Sequence, residues 1–127
     1  MNILQSSLVS LSLLIGAPFY SSSDSAASFK WESTTVDLGE IPHNIPAEIQ
    51  FEFTNDGEEP LIISNVRPSC GCTVADFPRT PIAPGESALI KAEYNAKSLG
   101  QFQKSITVQS NAEQATQVLT FKGRVVE

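Results

Sequence analysis

Two cysteines standing two positions apart carry the most distinctive chemistry in this chain, in the run Ser69-Cys70-Gly71-Cys72-Thr73. In an extended strand, residues two apart point to one face with Cα atoms about 6.6 Å apart, the upper limit of disulfide geometry. A bridge between Cys70 and Cys72 therefore needs a turn, and Gly71 is the residue able to take a positive φ and supply it. So small a ring would be strained and easier to reduce than a structural disulfide. It would also remove little unfolded-state entropy, so a stapling role is weakly motivated.

Several readings of the pair follow from this chemistry. It can be a local disulfide, a redox-active or partner-linking dithiol, or a pair of thiolates holding a soft ion such as Cu(I). Cys70 or Cys72 can also fill a core gap as a small hydrophobe. The cysteines are thus the candidate redox and metal residues, with Ser69, Gly71 and Thr73 completing the motif. A structural zinc site wants four ligands, and only His43 is available besides the cysteines.

Nucleophilic catalysis needs a base, and the sole imidazole, His43, lies in a Pro42-His43-Asn44 segment that reads as an exposed loop. The adjacent acids Glu58 and Glu59 follow Asn55-Asp56-Gly57, the composition of a solvated turn tip. There is no Gly-x-Ser-x-Gly elbow, phosphate-cradling glycine loop or dinucleotide fingerprint. The chain reads as non-catalytic and without a cofactor.

The elements that position these residues belong to an exported chain. Residues 3–20 are apolar and rich in small residues, too short and serine-broken to span a membrane stably, and end in Ser21-Ser22-Ser23-Asp24. Ser25 and Ala27 are small residues at the −3 and −1 positions of a cleavage site, so a signal peptide over residues 1–27 and a mature start at Ser28 are expected. The missing Lys or Arg near the N-terminus departs from the usual pattern. Localisation is then the periplasm or the extracellular space.

Of 127 residues, 41% are hydrophobic and 17% charged, which fits one compact folded unit over residues 28–127. Removing the leader, whose only charged residue is Asp24, takes the net charge from −6 to −5. The eight cations are scattered, so neither nucleic acid nor an anionic membrane surface is an expected partner.

After the leader, short β-branched and aromatic runs recur between turn residues, with no helical period. A first strand is expected over 29–38. A second contains Ile49, Phe51 and Phe53 alternating with polar residues, and turns back at Asn55-Asp56-Gly57 into a hairpin partner over 60–66. Four prolines confine 69–85 to loop or edge structure, with a short edge strand over 73–77. A strand over 87–94 pairs as a hairpin with 102–109 across Ser98-Leu99-Gly100, and the last strand covers 117–126. The expected fold is all-β, a single immunoglobulin-like β-sandwich of about seven strands. The antibody disulfide pattern is absent, and Trp31 reads as ordinary core.

The landmarks Phe51-Glu52-Phe53-Thr54-Asn55-Asp56-Gly57, Pro60-Leu61-Ile62-Ile63, Ser69-Cys70-Gly71-Cys72-Thr73, Pro84-Gly85-Glu86, Tyr94-Asn95, Gly100-Gln101-Phe102-Gln103-Lys104 and Gly123-Arg124-Val125 occur in this order. From about residue 36 to 126 the chain resembles the bacterial domain of unknown function 1573. The resemblance implies an exported relative of the immunoglobulin-like domains of ciliary and sperm proteins, with no established activity. It also implies that the Cys-Gly-Cys element is a family hallmark. The function expected is a non-catalytic extracytoplasmic binding or assembly module, engaging another envelope protein or an adjacent chain, with thiol-disulfide or copper chemistry at Cys70 and Cys72 as the alternative.

Overall fold

Ile49, Phe51 and Phe53 alternate with exposed or half-exposed neighbours, and this period of two buries one face of each strand. The computed structural model describes residues 26–127, so the apolar leader stretch lies outside the described residues. Eight strands follow in order: β1 (Phe29–Trp31), β2 (Thr35–Pro42), β3 (Ala47–Asn55), β4 (Ile63–Pro68), β5 (Thr73–Asp76), β6 (Ser87–Tyr94), β7 (Gly100–Ser110) and β8 (Thr116–Val126). They form two four-stranded sheets, β1-β3-β6-β5 and β2-β8-β7-β4. The all-β immunoglobulin-like sandwich is therefore the observed fold. Among the described residues no helix is long and apolar enough to cross a membrane.

The expected first strand is two strands. β1 pairs antiparallel with β3, whereas β2 pairs parallel with β8 in the other sheet. Ser33 turns the chain between them, its Oγ accepting from the Thr35 N–H at 3.2 Å and donating to the Thr35 carbonyl at 2.7 Å. That switch accounts for eight strands where about seven are expected.

Both expected hairpins are replaced by crossings between sheets. β3 pairs with β1 and β6, while β4 pairs with β7. β6 pairs with β3 and β5, while β7 pairs with β8 and β4. Polar turn residues permit a reversal but do not say which sheet receives the chain; burial decides that. Asn55 illustrates it. It is fully buried, its Nδ2 donating to the Glu59 and Ile82 carbonyls at 2.8 and 2.9 Å, and its Oδ1 accepting from the Gly57 and Ser28 N–H groups at 3.0 and 3.3 Å. All four side-chain hydrogen-bonding positions of the amide are filled.

The core lies between the sheets. Phe51, Phe53 and Ile90 from one meet Ile106, Val108, Leu119 and Phe121 from the other, all buried to within 1%. Each of the large side chains contributes about 1.5–3 kcal/mol on leaving water. Tyr94, Phe102 and Phe121 form an aromatic cluster with centroids 4.5 to 6.1 Å apart. Trp31 is half-buried at an edge, stacked on Phe29 at 4.8 Å, its indole N–H donating to Gln117 at 3.2 Å.

Candidate functional site

The Ser69–Cys72 segment is the short crossing by which the chain leaves β4 in one sheet and enters β5 in the other. Pro68 ends β4, and Ser69 pins the crossing to β7: its N–H donates to the Ser105 carbonyl at 2.8 Å, and its Oγ accepts from the Ser105 N–H at 3.1 Å. The Thr73 N–H donates to the Cys70 carbonyl at 3.4 Å, closing a four-residue turn, and the Asn95 N–H donates to the Cys72 carbonyl at 3.0 Å.

This turn brings the two sulfurs into bonding contact, with Cα atoms 5.2 Å apart. The Cys72 N–H points at Cys70 Sγ at 3.3 Å, and the Thr73 hydroxyl lies 3.8 Å from each sulfur. Cys72 packs partly against the core, and Thr73 is 5% exposed. The role expected of Gly71 is corrected. Its φ is not positive, and a Cβ built on it would meet nothing within 4 Å. Glycine is not required here because the turn closes through Cys70 and Thr73 with ordinary backbone angles.

His43 lies on the loop between β2 and β3, half-buried, with Nε2 at 3.1 Å from the Lys97 carbonyl. The Asn44 N–H donates to the Ala96 carbonyl at 2.9 Å. Asn44 and Ala96 both hold left-handed φ, 64° and 54°, a conformation that side chains adopt at a cost and that the surrounding bonds enforce. The β6–β7 loop thus ties the His43 loop on one side and the cysteine turn on the other. Ile45 and Leu99, 56% and 52% exposed, stand on these loops. Asn95 and Ala96 carry no chemical signature in the sequence; only the topology sets Asn95 against Cys72 and Ala96 against Asn44. Among the described residues, no three His, Cys, Asp or Glu side chains cluster as a metal site.

β5 leaves this turn as an edge strand, paired in unbroken register with β6 from Thr73↔Tyr94 to Asp76↔Lys91. Val74 on it is 64% exposed. The other edges differ. β2 and β4 each carry a register shift and end in proline, and β1 is three residues long. Bulges, prolines and brevity blunt edges against pairing.

A separate concavity of about 600 Å³ lies over β2, β7 and β8, lined by Asp37, Glu40, Phe102, Lys122 and Arg124 among others. It exists because β2 bulges at Gly39, φ +66°, and because Gly123 lacks a side chain: a Cβ there would sit 2.7 Å from the Gly39 carbonyl oxygen and 2.9 Å from Phe102.

Residues 29–125 match the model of a family described as protein of unknown function (DUF1573). The chain belongs to this family. No functionally curated protein matches the sequence of this DUF1573 domain. Its fold is similar to a protein of unknown function from Porphyromonas gingivalis W83, at 20% identity and TM-score 0.70, over 84% of this chain and 50% of that one. It is similar to the ASH/PapD-like domain 7 of human CEP192, at 10% identity and TM-score 0.64, over 94% of this chain and 98% of that one. It is also similar to the Vibrio cholerae VesB protease, at 15% identity and TM-score 0.62, over 79% of this chain and 32% of that one. The DUF1573 domain thus spans half of the Porphyromonas protein and about a third of VesB, and at these identities the likeness shows the fold alone.

Proposed function

We propose that this domain is a non-catalytic module of the cell envelope that binds an extended segment of another envelope protein, or of an adjacent chain, by strand addition to β5. The observation that carries this reading is the edge itself. β5 is a bulge-free edge of four residues, one longer than β1, and carries an exposed apolar side chain, Val74. Added strands gain main-chain hydrogen bonds along such an edge, and pockets for alternate side chains give selectivity.

Successive N–H groups of a strand point to opposite edges. Of the variants Val74→Pro and Ala75→Pro, one therefore removes a donor facing β6 and the other a donor facing outward. The outward variant should stay folded and migrate as the free domain, while the wild type and the double variant Cys70→Ala/Cys72→Ala migrate as a complex on native gels of the envelope fraction. Equal complex formation by both proline variants would sink strand addition.

A second reading has its own observation. The cysteine turn is held by backbone bonds from Ser69, Thr73 and Asn95 that do not involve sulfur. A Cys70–Cys72 disulfide can therefore be reduced by a partner protein's dithiol, which becomes the disulfide as two thiols form here, without rebuilding the turn. Replacing both cysteines by serine should then abolish function while leaving the fold; retained function in that variant removes this reading.

A further inference from the structure

Ala26, Ala27 and Ser28 are seated in the sandwich as firmly as a strand. Ala27 is 1% exposed. The Ala26 carbonyl accepts from the Glu58 N–H at 3.2 Å, the Ala27 carbonyl from the Glu113 N–H at 3.1 Å, and the Ser28 carbonyl from the Asp56 N–H at 3.0 Å. The Ser28 N–H reaches the Oδ1 of buried Asn55 at 3.3 Å. Beneath them lies Gly57, whose φ is outside the left-handed range. A Cβ on Gly57 would fall onto the Ala26 carbonyl oxygen, 2.7 Å from the Ser28 nitrogen and 2.8 Å from the Ala27 Cα. Space for the strap, and not backbone conformation, is what requires glycine at 57.

Small residues stand two apart, as a signal peptidase needs at −3 and −1, in three pairs near the end of the leader: Ser21 and Ser23, Ser23 and Ser25, Ser25 and Ala27. A cut after Ala27 would remove the buried Ala27 and two carbonyl acceptors, leaving the Glu58 and Glu113 N–H groups without them. It would also make the Ser28 nitrogen a charged ammonium group against buried Asn55, and burying charge is costly. The earlier cuts leave the strap whole.

We propose that the leader is removed N-terminal to Ala26, after Ser23 or Ser25, so that the mature chain begins at Asp24 or Ala26 and keeps residues Ala26–Ser28 as a strap over Gly57. Peptidase cleavage precedes folding, so the constraint acts on the stability of the product: a chain carrying the strap gives the Glu58 and Glu113 N–H groups their acceptors. The proposal rests on the exported reading of the chain, and its two tests separate the two claims.

The first test is the intact mass of the protein recovered from the exporting host's envelope or medium. A chain beginning at Asp24 or Ala26 is expected. One beginning at Ser28, or the uncut 127-residue chain, would overturn the processing site. The second is a thermodynamic cycle by denaturant unfolding of chains beginning at Ala26 or Ser28, each with and without Gly57→Ala. The Ser28 start should lower the folding equilibrium at least ten-fold. Gly57→Ala should lower it at least ten-fold with the strap present and less than three-fold without it. Equal effects of Gly57→Ala in both chains would overturn the strap, whatever the export result.

Discussion

The Asn55 side-chain amide donates to the Ile82 carbonyl at 2.9 Å, joining loops 27 residues apart in sequence inside the protein. The same side chain holds the Glu59 carbonyl and the Gly57 and Ser28 N–H groups, so one residue organises the loop leaving β3, the loop entering β6 and the N-terminal strap. The backbone of Asn55 adds to this, accepting from the Gly85 N–H at 2.7 Å and donating to the Glu86 carbonyl at 3.0 Å.

Truncating this residue should be among the costliest single changes in the domain. Asn55→Ala empties a fully buried side-chain position. It strips a partner from the Glu59 carbonyl and the Gly57 and Ser28 N–H groups, which are partly solvent-accessible, and one of two donors from the Ile82 carbonyl, which keeps the Leu61 N–H at 2.9 Å. At about 1–3 kcal/mol for a buried group left unpaired, reduced where water can reach the group, a loss of about 2–3 kcal/mol is expected. Urea unfolding of Asn55→Ala against wild type checks it; a loss under about 1 kcal/mol would contradict the role.

Asn55 also marks the limit of what the sequence discloses. The alternation of Ile49, Phe51 and Phe53 places β3 correctly, because a period of two is a local property of the chain. Asn55-Asp56-Gly57 reads locally as a hairpin tip, yet its asparagine is buried and its turn crosses to the other sheet. Ser98-Leu99-Gly100 misleads in the same way. Pairing depends on which face of each strand meets which sheet, a long-range matter that turn composition does not encode. The cysteine pair was legible by its spacing; the loops that bracket it were not, since Asn44 and Ala96 announce their left-handed backbone only in three dimensions.

Two glycines should respond oppositely to alanine. Gly71 has open space around it and no positive φ, so Gly71→Ala should leave stability unchanged or raise it by up to about 1 kcal/mol through the unfolded state. Gly123→Ala drives a methyl against the Gly39 carbonyl and the Phe102 ring and should cost about 1–3 kcal/mol. Thermal melts of the pair decide the matter: similar losses in both would mean that the cysteine turn depends on its glycine after all.

Removing both cysteine sulfurs should leave the fold in place. A loop closed over two positions restricts the unfolded chain little, so Cys70→Ala/Cys72→Ala is expected to cost no more than about 2 kcal/mol. Circular dichroism and denaturant melts test this. Failure of the double variant to fold would make the pair a staple and remove the redox reading.

The thiol state of the exported protein can be read directly. Alkylation without reductant followed by intact mass should give no adduct and a mass two hydrogens low, as expected if the sulfurs in bonding contact are joined. Two adducts would mean free thiols and would favour metal or redox chemistry at Cys70 and Cys72.

Strand addition at β5 is tested most directly by placing a photoreactive residue at position 74 and, separately, at position 118 in the exported protein, then irradiating in the native host. Val74 and Val118 are similarly exposed, at 64% and 55%, but Val74 is on the β5 edge and Val118 is on β8, flanked by β2 and β7. A discrete adduct to one protein from position 74, absent from position 118 and lost when the outward-facing N–H of β5 is removed by proline, is the predicted result. No adduct from position 74, or equal adducts from both positions, would contradict docking at this edge.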